Sequence, residues 1–424
     1  MSRSAALLAA VAVLAFLPSL AGPFHFDDYN VIVHYPTVHS WSTLFERAGA
    51  GVRPLLKASY VANWTLDPGP LGFHAVNIAL HAFNAVLLFL IGNKLVRGQA
   101  PICFAAALLF ALHPMQTEAV TYISGRSSSL MATFYLVAML AYLGNRFYLS
   151  AALFILACAT RETAVTLPAA LLLIEICRRT PWRDIARRQA AHWALLAAAG
   201  VFILLNARYF DLVAFGFGER SLGENLLSQI NGISYLALHL VTLRGLNIDP
   251  ALPTLTGWTP ALAFQALGLL AVLGIGVANL RKRPWLAFGI LWFFLQLTPT
   301  NTIVPRLDVA NDRQVYLACW GLFLALAVQI SELNLRATRA GVAAVCLALL
   351  AANVDRQLDY VDEITLWEAS VRESPWNARA HTNLGYAYYQ AGRKTDARSE
   401  FRTALTLDSK EQKARANLVL LDWR

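Results

Sequence analysis

A chain of 424 residues that is 57% apolar and 14% charged, with a mean hydropathy of +0.48, is not a water-soluble globular enzyme but a membrane protein. From residue 354 onward eleven basic side chains balance eleven acidic ones, so the net charge of +9 resides in the apolar part, where Lys- and Arg-rich cytoplasmic loops account for it without a nucleic-acid partner. The five cysteines, Cys103, Cys158, Cys177, Cys319 and Cys346, have neither metal-ligand nor pairing spacing, which argues against a disulfide scaffold, a zinc module or thiol catalysis.

The first apolar run, 5–22, follows a single Arg3. Its Pro-Ser-Leu-Ala-Gly exit resembles a signal-peptide cleavage site, but the sparse charge before it and the polar residues after it favour a retained helix. A membrane crossing takes about 20 apolar residues. Segments 73–96, 102–120, 128–143, 147–159, 163–177, 190–207, 229–245, 261–280, 285–299, 314–330 and 341–354 meet or approach this. The expected fold is therefore all-α and polytopic, with about 11–12 transmembrane helices over 1–354, a first outer loop at 23–72 and a helical tail at 355–424. The two short segments flanking Arg161-Glu162 read as half-buried helices framing a polar turn, which a cavity tolerates and lipid does not.

Basic clusters set the orientation: Lys94 with Arg97, Arg146, Arg178-Arg179 through Arg187-Arg188, Arg281-Lys282-Arg283, and Arg336 with Arg339. If these are cytoplasmic, the N-terminus is inside and the first loop outside. Three apolar segments lie between Arg188 and Arg281 where two would serve. Segment 229–245, carrying Gln229, Asn231, His239 and Arg244, is thus expected to be re-entrant or interfacial. Eleven spans would leave the tail outside and twelve would leave it inside.

Over 378–411 the residues Leu384, Gly385, Tyr388, Ala397, Phe401 and Ala404 fall at the offsets of a 34-residue tetratricopeptide repeat. Trp367, Ser370 and Pro375 suit a preceding half-repeat, whereas His381 and Ser409 depart from the usual Trp and Pro. About three repeats make a stable stack, so this tail leans on the membrane domain, either as a cap or as a peptide-docking arm.

Ionisable residues at helix ends are costly unless they serve a site, and here they concentrate on the outer side. Asp27-Asp28, next to His25, follows the first helix; adjacent carboxylates suit a general base or a metal ligand, or else a solvated turn. His74, Asn77 and His81 share one helix face, as a cavity wall or as interhelical hydrogen-bonding groups. Pro114 breaks a helix and aims His113 and Glu118 at one pocket, and Gly125-Arg126 opens the next helix. Arg161-Glu162, Asn301, Arg306, Asp308, Asp312 and Arg313 follow on the same side. Arginines converging beside acids hold a phosphate while a carboxylate takes a proton, or else form structural ion pairs.

Phe26-Asp27-Asp28, Arg53-Pro54, Phe73-His74 with Asn77 and His81, His113-Pro114 with Thr117-Glu118, Gly125-Arg126, Arg161-Glu162-Thr163, Asn247-Ile248-Asp249-Pro250, Asn301 and Asp312-Arg313 occur in one order over nearly the whole chain. In that order the chain resembles the GT-C class of membrane glycosyltransferases, and within it the transmembrane-and-tetratricopeptide-repeat, O-mannosyltransferase-like family with its bacterial relatives. The resemblance implies inverting transfer from a polyprenyl-phosphate-linked sugar to an acceptor hydroxyl, on a protein or peptide docked by the tail, at the outer face of a bacterial plasma membrane. It implies Asp27 or Asp28, with Asp28 slightly favoured, as base or metal ligand, and Glu118 as partner. Arg126, Arg161, Arg313 and His113 would hold the donor phosphate, while Arg53, His74, Asn77, His81, Glu162 and Asp312 line the cavity. A divalent cation, Mg or Mn, between Asp28 and Glu118 is left open. Position 161 is Arg where many relatives have Lys, which alters phosphate geometry, and the repeat array is shorter than in the animal proteins. A transporter or flippase, a lipid-linked glycan ligase and a non-enzymatic scaffold are the rival readings; no paired broken-helix repeat supports the first.

Overall fold

A computed structural model describes residues 3–47, 52–332 and 338–422. After α1 (Arg3–Ala15) the outer loop carries α2 (Trp41–Glu46) and α3 (Pro54–Leu66). Next come α4 (Pro70–Leu95), α5 (Ala100–Leu112), α6 (Thr117–Val120), α7 (Arg126–Leu143), α8 (Phe147–Thr160), α9 (Leu167–Cys177) and α10 (Trp182–Leu205). The bundle closes with α11 (Ala207–Glu219), α12 (Leu222–Thr242), α13 (Pro260–Asn279), α14 (Pro284–Leu297), α15 (Ala318–Glu332) and α16 (Thr338–Leu358). The tail is α17 (Glu363–Glu373), α18 (Ala378–Gln390), α19 (Lys394–Leu407) and α20 (Gln412–Asp422). The described residues contain no strand, and the chain is an all-α polytopic membrane protein.

Local chemistry explains the ends of these helices. Pro54, Pro70, Pro260 and Pro284 stand at first helical positions, where a missing N–H has no intrahelical partner to lose. Ser221 and Glu224 form a reciprocal capping box at the start of α12. Pro114 bends the chain by 57° between α5 and the segment Pro114–Val120, as its position in the sequence anticipates.

Among the described residues four helices are long and apolar enough to cross a membrane: Pro70–Leu95, Trp182–Leu205, Pro260–Asn279 and Ala340–Leu358. The bent pair of α5 and Pro114–Val120 would make a fifth. Among the described residues the apolar helices α1, α8, α14 and α15 are shorter, with α8 and α14 at 14 residues. At 1.5 Å per residue such a helix reaches about 21 Å, short of a hydrocarbon core of about 30 Å. Polar turns at one end of the bundle shorten them. Segment 229–245, expected to be re-entrant or interfacial, forms the C-terminal part of the single 21-residue helix α12 and runs three residues past its end; the polar face of α12 packs on the loop after α14, where Asn225 donates to the Thr302 carbonyl at 2.6 Å and Asn301 to the Gln229 side chain at 2.8 Å.

The two ends of the bundle differ in character. At one end the basic clusters meet, with Arg178 donating to the Lys94 carbonyl at 2.8 Å and Arg179 to the Arg281 carbonyl at 2.6 Å. Arg336 lies outside the described residues, as does the side chain of Arg339. At the other end sit the first loop, the polar turns and the tail. Glu363 meets His25 and the Phe26 amide of the first loop, Asn247 reaches Ser374, and Arg379 reaches Asp249 and Asp308, so the tail packs on the same face as the first loop. Within the tail Gly385 lets α18 and α19 touch: a Cβ there would lie 2.7 Å from the Phe401 ring.

Candidate active site

The first loop separates the adjacent carboxylates. Phe26 has a left-handed backbone, φ 46°, which turns the chain sharply before Asp27 and Asp28. Asp28 is fully buried. Its Oδ1 accepts from the Ser124 amide at 2.8 Å and from the Ser124 hydroxyl, and its Oδ2 accepts from the His25 amide at 3.0 Å. Burial pushes its pKa up to about 6, and these hydrogen bonds hold back a larger rise. Asp27 instead lines a cavity, with its amide donating to the Tyr122 hydroxyl at 3.1 Å. Burial raises its pKa too, opposed by the charges of Arg313 and Arg379.

The cavity has a volume of 370 Å³ and lies between the first loop, α3, the start of α7, the α8–α9 turn and the loop before α15. Among the described residues five cations, Arg53, Lys57, Arg161, Arg306 and Arg313, share its wall with one carboxylate, that of Asp27. Arg53 is held by a two-pronged fork to Glu162, at 2.9 and 2.6 Å. Arg313 is tied to Glu118, which accepts its amide at 2.8 Å and faces its guanidinium at 3.4 Å. Lys57 donates to Tyr35 at 3.3 Å.

Arg161 differs from these. It is buried, directed by the Ser127 hydroxyl at 3.2 Å and the Ser128 hydroxyl, and its Nε has no partner. Among the described residues neither Arg161 nor Arg306 forms an ion pair. Burial and the neighbouring guanidiniums push the Arg161 pKa down, so its cationic form is stabilised by an entering anion. A planar guanidinium with free donors suits a tetrahedral oxyanion.

Other motif residues build the scaffold behind this wall. Arg126 is buried and its donors are spent on Asn77 at 2.7 Å, Asn63 at 2.6 Å, the Phe73 carbonyl at 2.9 Å and the Ser59 carbonyl at 3.2 Å. Asn77 in turn donates to the Val120 and Ile123 carbonyls. His113 lies against the Leu240 carbonyl at 3.0 Å and accepts the Met115 amide, capping the short turn after α5. His74 meets the Gly22 carbonyl; His81 lies between the Tyr316 hydroxyl and the Ala111 carbonyl. Asp312 is buried behind Arg313, where burial and the Glu118 charge push its pKa up to about 8. The structure thus brings Asp27, Arg53, Arg161 and Arg313 together, with Glu162 and Glu118 gripping two of them. Lys57, Ser127 and Tyr122 are additions that sequence reasoning did not single out; the run Ser127-Ser128-Ser129 opening an apolar helix was the available signal.

The described residues hold no group of three or more His, Cys, Asp or Glu placed to bind a metal. Asp28 is engaged by Ser124 and His25, and Glu118 by Arg313, so that pair does not fit a divalent ion.

Fold and cavity define a polytopic helical membrane protein with a cationic hollow edged by one carboxylate. The chain is similar to a protein O-mannosyl-transferase of Caenorhabditis elegans, 26% identical over 96% of this chain and 63% of the relative. It is also similar to protein O-mannosyl-transferase TMTC1 of Homo sapiens, 25% identical over 98% of this chain and 56% of the relative, and to TMTC4 of Mus musculus, 25% identical over 92% and 65%. These similarities agree with the resemblance carried by the ordered motifs. The chain spans less than two thirds of the length of these curated relatives. No protein-family model matches it, and no solved structure does.

Proposed function

We propose that this chain is an inverting membrane glycosyltransferase that moves a mannosyl group from a polyprenyl-phosphate donor to a hydroxyl of a protein. The observation that carries the reading is the cavity wall itself: five cations beside one carboxylate, with no ion pair to Arg161 or Arg306 among the described residues. The similarity to protein O-mannosyl-transferases supports the sugar and the acceptor class.

The chemistry follows from charge. A polyprenyl-phosphate sugar carries one negative charge on phosphorus oxygens, and the polyprenyl phosphate that leaves carries close to two. Guanidiniums of Arg161, Arg306 and Arg313 therefore bind the leaving group more tightly than the donor, which is the differential stabilisation that lowers a barrier. The acceptor hydroxyl attacks the anomeric carbon opposite the phosphate. Its oxygen forms the new bond, the old C–O pair goes to the phosphate, and the hydroxyl proton goes to Asp27. One displacement inverts the anomeric centre. Burial brings the Asp27 pKa closer to neutrality, as suits a general base, while Arg313 and Arg379 favour its ionised form. Glu118 acts through Arg313, and Asp28 by fixing the turn. No step is routed through a metal.

An apolar cleft of 310 Å³, lined by Trp41, Leu44, Phe45, Leu55, Leu156 and Ala159, adjoins the cavity through the shared Lys57. A phosphate in the cavity with an isoprenoid chain in the cleft matches a lipid-linked donor. The gathered basic clusters support a cytoplasmic location for the opposite end of the bundle, so the cavity would face outward, across a bacterial plasma membrane. Tail helices beside the cavity would receive the acceptor protein.

The test is turnover of polyprenyl-phosphate mannose by membranes carrying wild type or Asp27→Asn. Loss of sugar release in the variant with an unchanged level of folded protein supports the reading; equal release removes it.

A further inference from the structure

We infer that the tail is a working part of this active site: Glu363 and Arg379 are positioning residues that hold its two walls, the turn bearing Asp27 and the loop bearing Arg306 and Arg313. The inference rests on the proposed transfer reaction and extends it to residues outside the membrane part.

The first wall is gripped by α17. Glu363 Oε1 accepts the Phe26 amide at 3.2 Å and meets His25 Nδ1 at 3.0 Å, while His25 Nε2 meets the Tyr360 carbonyl at 2.9 Å. Both imidazole nitrogens thus face acceptors, an arrangement that the doubly protonated ring satisfies. Glu363 is itself fixed by Trp367, whose indole N–H donates to Oε2 at 2.7 Å and whose ring packs edge-on against Phe26 at 5.2 Å. These contacts converge on the left-handed Phe26, the residue before Asp27. A non-glycine residue held at positive φ persists only where its surroundings over-determine it. Here the surroundings are the tail.

The second wall is gripped by α18. Arg379 binds Asp249 through Nε at 2.6 Å and Asp308 through Nη2 at 2.7 Å. Asp308 lies between Arg306 and Arg313 in sequence, so this bond anchors the loop at the point between its two cavity cations. Asn377 secures the same corner, donating to the Asp249 carbonyl at 2.8 Å. The Arg379 charge is also felt at Asp27.

The two grips predict different kinetic signatures. Freeing Phe26 misplaces the base and lowers kcat; freeing Asp308 loosens the phosphate cations and raises the donor KM. The experiment measures sugar release from polyprenyl-phosphate mannose by the full chain in nanodiscs, with Asp27→Asn alongside and the thermal midpoint of each variant recorded. Glu363→Ala is expected to lower kcat about 10–100-fold with KM within about twofold, since misplacement by an ångström can cost that much. Glu363→Gln keeps an acceptor for the Phe26 amide and recovers most of kcat. Arg379→Ala and, independently, Asp308→Asn are expected to raise KM about 5–10-fold with kcat little changed. Arg379→Lys, which cannot span both carboxylates, does not restore KM.

Asp308 and Arg379 are partly exposed, so Asp308→Asn tests the second grip even if a tail variant fails to fold. If Asp27→Asn abolishes turnover while Glu363→Ala, Arg379→Ala and Asp308→Asn keep wild-type kcat and KM, the inference is overturned and the reaction stands. If turnover does not depend on Asp27, both fall.

Discussion

Glu118 and Arg313 meet twice, through the backbone amide at 2.8 Å and through the guanidinium at 3.4 Å. The carboxylate is buried and the guanidinium reaches the cavity, so one side chain fixes both where the loop runs and where its charge points. Glu118→Ala leaves the Arg313 amide without an acceptor, a loss of about 1–3 kcal/mol for a buried group. Its thermal midpoint should fall and its donor KM should rise. Glu118→Gln keeps the amide contact but not the ion pair, so its midpoint should recover more than its KM does. Equal recovery of both would reduce Glu118 to a packing residue.

Asp27 and Asp28 should separate cleanly. Asp27→Asn is expected to lower kcat by about 10²–10⁴-fold, the range for losing a general base, with thermal stability unchanged. Asp28→Asn should act on stability and on its pH dependence. The Asp28 pKa is about 6 in the folded chain against an ordinary 3.8, raised by burial. A carboxyl raised on folding contributes stability that is complete below its unfolded pKa and lost as pH climbs through the folded one. The wild type should therefore lose about 3 kcal/mol relative to Asp28→Asn between about pH 4 and 6.5, and nothing further above it. Thermal unfolding across that range decides it; a constant offset between the two proteins would contradict the assignment.

Arg161 and Arg126 look alike in the sequence and should behave oppositely. Arg161→Lys keeps the charge but loses the planar fork, so it should fold normally and raise the donor KM about tenfold. Arg126→Lys strands several of the Asn77, Asn63, Ser59 and Phe73 acceptors at about 1–3 kcal/mol each, so it should express poorly and melt early. Its residual folded fraction should show an ordinary KM. A high KM with wild-type stability for Arg126→Lys would return that residue to the phosphate site.

What could be read from the sequence follows the range of the interactions involved. Helices and the break at Pro114 rest on short-range periodicity and spacing, and they appear as expected. Ordered motifs drew attention to these turns, because charged residues at the ends of apolar helices stand out against their surroundings. The division of labour within those turns was not legible. Asp28 is withdrawn from the cavity by Ser124, 96 positions away, and His25 is held by Glu363, 338 positions away. Nothing local distinguishes a guanidinium whose donors are spent, as in Arg126, from one with a free Nε, as in Arg161. The tail read as either a cap or an arm for the same reason, since Arg379 finds Asp308 only once the chain has folded.

Gly125 offers the most stringent check on how tightly these turns are stacked. A Cβ at this position would lie 2.1 Å from the Glu118 carbonyl oxygen and 2.9 Å from the Ala119 Cα, both backbone atoms that cannot rotate away. The turn of Ile123–Gly125 is thus seated directly on α6, and the two share responsibility for the site: Ser124 holds Asp28 while Glu118 holds Arg313. Gly125→Ala must push the layers apart, so it should lower the thermal midpoint and kcat together and raise the donor KM, although the added methyl touches no substrate. Gly385→Ala, whose Cβ meets the Phe401 ring edge in the tail, should weaken the α18–α19 contact with a smaller effect on kcat. Measuring both variants under the same conditions separates strain at the core of the site from strain within the tail; a silent Gly125→Ala would show that α6 and its neighbouring turn are not in contact as described.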